Sequence, residues 1–266
     1  MTVDLPGEFY LVLTVFLGLV FGSFATALAY RLPRGLSILK KSRSACPSCD
    51  RKLGVLDLVP VFSWLFLRGK CRSCKAAIGW QYPAIELVTL ALCLVFYWRF
   101  GLGLQTLCFF ALAPVVVSIV AIDFAHKIIP DGLNLAVAAL ALAGLAGNAL
   151  LAADPPDFIV EKGVAALAGA ALYGGGALLL RHGVMMVLKK DPLGMGDIKF
   201  LAAAGLWLGL NPESAAWLMF VSGAAGIMIA LVWKKTRGEA EYPFGPALLT
   251  GFVCMLLWQG PGFIVT

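Results

Sequence analysis

Two aspartates interrupt a chain that is otherwise poor in charge. Asp123 closes the apolar run Val115 to Ile122 and is followed by Phe124-Ala125-His126-Lys127-Ile128-Ile129-Pro130-Asp131; Asp197 ends the segment Gly194-Met195-Gly196-Asp197. A carboxylate at membrane depth is costly and marks a pathway or a catalytic site. Glu86 is a third such residue. Two carboxyls can hydrolyse a peptide when one, ionised, takes a proton from water and the other, protonated, polarises the carbonyl. Like charges held a few Å apart divide in this way, because both cannot stay ionised. Gly194 and Gly196 lack Cβ, so the backbone can bend ahead of Asp197 and let a substrate strand lie against it. The bland alternative for an interfacial Asp is a helix cap or a solvated loop charge. Asp131, between Pro130 and an apolar run, fits the cap reading, and the lone His126 reads as structural.

Cysteine supplies a second chemistry. Cys46-Pro47-Ser48-Cys49 and Cys71-Arg72-Ser73-Cys74 are two CxxC pairs separated by 21 residues, close to the two-knuckle spacing that gives tetrahedral thiolate coordination of zinc. Four thiol ligands leave no open position, so the expected zinc is structural. Cys93, Cys108 and Cys254 lie singly in apolar runs and read as packing residues.

The elements that must position these groups are membrane spans. The 266-residue chain is 61% hydrophobic and 14% charged, against about 45–50% and about 25% in soluble domains. A hydrocarbon core of about 30 Å needs roughly 20 apolar residues in a helix. Eight runs approach that length, at about 8–30, 82–99, 103–122, 132–152, 161–181, 197–210, 214–233 and 245–262, the sixth being short. The first run is too long for a signal-peptide core and lacks a basic flank before it, so it reads as a retained span. The expected fold is an all-α polytopic membrane protein of about eight transmembrane helices, with a small cytoplasmic zinc-binding insertion between the first and second. The expected divisions are a first helix at 1–30, a zinc segment at 31–81 and a membrane core at 82–266.

Orientation follows from Lys and Arg in the short loops. Eleven of the 21 basic residues fall in 31–81, and the alternation of spans puts all but Arg99 and Lys162 on one side. Both termini are then extracytoplasmic, and Asp123 and Asp197 share the cytoplasmic face. The net charge of +6 is thus a topology signal with membrane lipid as its partner, and no nucleic acid is expected. An ion-coupled transporter or a zinc-ribbon membrane scaffold with non-catalytic aspartates is the competing class.

Several motifs stand together. Gly22-Ser23-Phe24 with Tyr30-Arg31-Leu32-Pro33, the CxxC pairs, Gln81-Tyr82-Pro83 with Glu86, Ile122-Asp123 running to Pro130-Asp131, Gly194 through Lys199, and Pro243-Phe244-Gly245-Pro246 occur in an order and spacing that resembles the type IV prepilin peptidases along nearly the whole chain. The sequence departs from that pattern at Thr26, where the family commonly has Asn. The resemblance implies a bacterial inner-membrane aspartic peptidase that removes the basic leader of type IV prepilins and type II secretion pseudopilins after a Gly. It also implies N-methylation of the new terminus from S-adenosylmethionine, although no Gly-rich nucleotide fingerprint or cofactor pocket can be assigned. The family's catalytic aspartates fall on Asp123 and Asp197 and its zinc ligands on Cys46, Cys49, Cys71 and Cys74. Glu86, Gly194 and Gly196 fall in supporting positions. Some relatives lack the cysteine segment, which ties it to methylation or substrate handling more than to cleavage. Acidic residues such as Glu239, Glu241 or Glu86 are the expected readers of a basic leader.

Overall fold

The structure is a computed structural model and describes residues 7–38, 44–151, 156–189, 193–239 and 241–261. These are helical and carry no strand beyond two isolated bridges, Ala45 with Lys52 and Lys70 with Ala77. In chain order the helices are α1 (Gly7–Arg31), the five-residue α2 (Phe62–Phe66), α3 (Gln81–Phe100), α4 (Leu104–His126), α5 (Asp131–Leu151), α6 (Pro156–Ala170), α7 (Gly176–Leu188), α8 (Met195–Leu208), α9 (Pro212–Arg237) and α10 (Gly245–Gln259). A π-helical turn, Ala171–Gly175, joins α6 to α7.

Among the described residues, six helical stretches are long and apolar enough to cross a membrane: Gly7–Arg34, Gln81–Phe100, Leu104–His126, Asp131–Leu150, Asp157–Val187 and Pro212–Arg237. The chain is a multi-pass membrane protein. The other two expected spans form as shorter helices, α8 with 14 residues and α10 with 15. At 1.5 Å per residue each reaches only about 21–23 Å, short of the hydrocarbon thickness of about 30 Å.

The chain packs as two compact units, 1–118 and 119–266, and the division falls inside α4. In the first, α1 lies on α3. Gly18 and Gly22, four residues apart, allow this approach: a Cβ at Gly22 would come 2.8 Å from the Cα of Glu86, and one at Gly18 would come 3.2 Å from the Cα of Leu90. Small residues at this spacing let membrane helices meet backbone to backbone. The cysteine segment and Glu86 belong to this unit.

The second unit is organised around α8, which packs against α5, α6, the π turn and α10. Ile198, Phe200, Leu201, Ala203, Ala204, Trp207 and Leu208 are all buried, the signature of a helix enclosed on most sides. Trp207 Nε1 donates to the Val137 carbonyl on α5 at 2.9 Å. Gly209, at φ +68°, ends α8 in a conformation that suits glycine. Asn211 then starts α9, its side chain accepting from the amides of Glu213 and Ser214 at 3.1 and 3.2 Å.

Candidate active site

Asp123 lies inside α4, three residues before its last residue, His126, and is 4% exposed. The apolar run ends at Ile122, but the helix continues to His126. Asp197 is the third residue of α8. The two carboxylates are near enough for the charge on Asp123 to act on Asp197.

Each carboxylate is held by a backbone amide at the start of a short helix. Gly245, the first residue of α10, donates to Asp123 Oδ2 at 2.8 Å; Gly194, just ahead of α8, donates to Asp197 Oδ2 at 3.1 Å. The first N–H groups of a helix have no partner within it and carry partial positive charge, which makes them donors suited to a carboxylate. α8 and α10 therefore begin at the two acids. Among the described residues, the other oxygen of each carboxylate has no hydrogen-bond partner.

The glycines are set by contact. A Cβ on Gly245 would stand 2.8 Å from Asp123 Oδ2, and one on Gly196 would stand 3.2 Å from both the Cβ and the carbonyl oxygen of Ile129. Asn134, buried on α5, donates from Nδ2 to the Gly196 carbonyl at 3.1 Å and pins the turn that presents Asp197. Past Asp123, the α4 backbone closes with Lys127 N–H on the Asp123 carbonyl at 2.8 Å. The Lys127 ammonium reaches Glu239 at 2.8 Å, and Trp233 Nε1 donates to the same carboxylate oxygen at 3.3 Å. Lys127, with Trp233, holds the Glu239 carboxyl below the usual carboxylate range. This pair ties the end of α4 to the loop that delivers Gly245.

The remaining acidic residues are placed as follows. Asp131 begins α5, and both its oxygens take the Lys199 ammonium, at 2.7 and 2.8 Å. Its side chain is 73% exposed, so this pair contributes little. Glu239 is engaged by Lys127, Glu241 is exposed, and Glu86 is buried on α3, where its Oε2 accepts the Val61 N–H at 2.6 Å. His126 is exposed at the end of α4.

The four cysteines converge. The sulfurs of Cys46, Cys49, Cys71 and Cys74 lie within 4.8 Å of one another, with Cys46 and Cys74 at 3.9 Å. Zinc bonds of about 2.3 Å in a tetrahedron place sulfurs about 3.8 Å apart, so the cluster fits such an ion. The knuckles repeat one backbone pattern. Cys46 N–H donates to the Arg51 carbonyl and Asp50 N–H to the Cys46 carbonyl; Cys71 N–H donates to the Ala76 carbonyl and Lys75 N–H to the Cys71 carbonyl. Asp50 (φ +51°) and Lys75 (φ +60°) take the same left-handed turn. Amides of Cys74 and Ser73 bring the Cys71 thiol down to about 6, which favours the thiolate a metal needs.

Asp57 clasps the knuckles together. It accepts from Arg72 Nε at 2.7 Å, Gly54 N–H at 3.1 Å and Arg51 Nη2 at 3.2 Å, while Arg51 Nη1 reaches Ser73 at 2.7 Å. Arg72 first, then the Gly54 amide, hold its carboxyl below the usual range. The sequence reading missed Asp57, Asn134 and the role of Gly245. Only Gly245 carried a signal, through the motif Pro243-Phe244-Gly245-Pro246.

A multi-pass helical protein with two interacting carboxylates, each held at a helix start, defines a class, and comparison with known proteins narrows it. The model described as "Bacterial Peptidase A24 N-terminal domain" matches residues 16–100, and that described as "Type IV leader peptidase family" matches 108–233. A prepilin leader peptidase/N-methyltransferase from Burkholderia pseudomallei (strain K96243) is 32% identical, the match covering 98% of this chain and 89% of the relative. A protein of the same name from Neisseria gonorrhoeae is 32% identical, over 89% of this chain and 86% of the relative. The type 4 prepilin-like proteins leader peptide-processing enzyme of Escherichia coli O78:H11 is 30% identical, over 91% of each chain. No solved structure matches the chain. The chain belongs to the type IV leader peptidase family. That membership favours a membrane peptidase over the transporter and scaffold readings.

Proposed function

We propose that this protein cleaves the basic leader from type IV prepilins and type II secretion pseudopilins after a Gly, and then N-methylates the new terminus from S-adenosylmethionine. The observation that carries the cleavage reading is that Asp123 and Asp197 each take a backbone amide at the start of α10 and α8, near enough to each other to interact. Each amide fixes one carboxylate oxygen and leaves the other for chemistry. One acid takes a proton from water while the other donates to the scissile carbonyl. Gly194 and Gly196 support the site by fixing the turn before Asp197, whereas Glu86 lies in the other compact unit and serves the cysteine segment through Val61.

The loop charges support an inner-membrane orientation with both termini extracytoplasmic and the cysteine segment cytoplasmic. A prepilin carries its basic leader in the cytoplasm and an apolar helix in the bilayer, so its scissile bond arrives at the face where the dyad lies. We divide the chain by role into a first helix at 1–30, a zinc segment at 31–81 and a protease core at 82–266. Cys46, Cys49, Cys71 and Cys74 hold a structural zinc, which supplies a cross-link between the knuckles. Purified protein incubated with a synthetic prepilin and methyl-labelled S-adenosylmethionine should give mature pilin, cut after Gly and carrying the label. Intact prepilin would reject the cleavage reading, and unlabelled mature pilin would reject the methylation.

Two further outcomes follow from the geometry. Gly245→Ala keeps an allowed helical backbone but drives a methyl toward Asp123 Oδ2. Prepilin kcat/KM should fall about 10- to 100-fold, the scale of one hydrogen bond to a charged group. Asp57→Asn removes the clasp, and zinc affinity, measured by chelator competition, should fall about 10- to 100-fold. The sign with pH follows from the lowered Asp57 carboxyl: its contribution is present above the ordinary value of about 4 and is lost as pH falls through the lowered one.

A further inference from the structure

The zinc segment lies between spans, yet it exposes a concentrated apolar surface. Val55 and Phe66 are each 84% exposed, Leu56 is 72%, Leu65 56% and Phe62 49%. Phe62, Leu65 and Phe66 follow the i, i+3, i+4 spacing of one face of α2. Trp64 turns the other way, donating from Nε1 to the Ile78 carbonyl at 3.0 Å and covering Gly69. α2 is thereby fixed with its apolar face outward.

The placement of this face is specified from within the membrane. Val61, immediately before α2, has φ +62° and ψ −52°, and Phe62 N–H donates to the Pro60 carbonyl at 2.6 Å. That is a three-residue γ-turn of the rare positive-φ kind, strained for a β-branched residue. Its N–H is taken by the buried Glu86 carboxylate. Glu86 is the sixth residue of α3, roughly 8 Å along the helix from Gln81. The turn is thus held level with the first turns of a span, at the depth where interfacial helices seat their apolar faces.

The charges around the patch point to one occupant. Lys52, Arg68, Lys70 and Lys75 are exposed and make no ion pair among the described residues, while the nearby Asp57 is already taken by Arg51 and Arg72. An exposed apolar face flanked in sequence by unpaired cations has the composition of an interfacial membrane anchor. The segment runs into α1 at one end and α3 at the other, so the bilayer is the apolar phase within reach. We infer that residues 55–66 form a wedge that inserts into the lipid interface and seats the zinc segment on anionic headgroups, with Glu86 holding the wedge at depth.

The test uses the full chain in vesicles of phosphatidylethanolamine with phosphatidylglycerol, and in phosphatidylcholine alone. A photo-crosslinking amino acid is placed at position 56, at position 66 or, as the control, at the exposed Ser48, and zinc content is checked in each protein. Lipid adducts at 56 and 66 should exceed those at 48 several-fold, and more so with phosphatidylglycerol. Equal adducts at the three positions would overturn the inference. So would adducts to a second copy of the chain, or to an added prepilin, in place of lipid.

Discussion

Asp123→Asn should lower prepilin cleavage by about 10²- to 10⁴-fold, the range supplied by a positioned acid or base, while leaving membrane insertion and zinc content unchanged. The amide is nearly isosteric and its carbonyl oxygen can still accept the Gly245 N–H, so the packing between α4 and α10 survives. What disappears is the ability to hold or give up a proton. The measurement is single-turnover cleavage of a purified prepilin in detergent or vesicles, with thermal unfolding as the control. Cleavage at the normal rate in a folded variant would remove Asp123 from the chemistry.

The second large effect concerns the metal. Replacing Cys46 and Cys71 together with Ser should remove about one zinc per chain and release the backbone of 44–78 to hydrogen exchange. Within 44–80 only Cys46, Gly69 and Cys71 are buried, so the segment has almost no core to fold around. Structural zinc in comparable small units contributes about 10–16 kcal/mol, far more than the exposed arginine pairs of Asp57 can replace. Methyl transfer should fall more than cleavage, since the dyad belongs to the other compact unit. Unchanged metal content, read by elemental analysis, would reject the four-thiolate site.

Side-chain chemistry was the legible part of this protein. Eight apolar stretches were visible as hydropathy, and the CxxC spacing announced a metal site whose thiols do converge. Helix ends were read less well, because hydropathy stops at the first charge whereas helical hydrogen bonding does not. α4 runs past Asp123 to His126, and the stretch expected at 161–181 extends from Asp157 to Val187 through a π turn. The donors at the aspartates were hidden for a different reason. They are backbone amides of Gly245 and Gly194, and every residue but proline offers one, so only the three-dimensional placement of a helix start distinguishes them. Asn134 was equally silent, as one polar residue in an apolar helix until the Gly196 carbonyl appeared opposite it.

The dyad is tested most directly by comparing prepilin cleavage rates of Asp123→Asn, Asp197→Asn and the double variant. Residues that act as one catalytic unit lose activity together, so removing the second costs little more than removing the first. All three proteins should sit at one common floor. A single variant at the normal rate, or a double variant whose loss is the product of the two single losses, would contradict a shared acid–base pair.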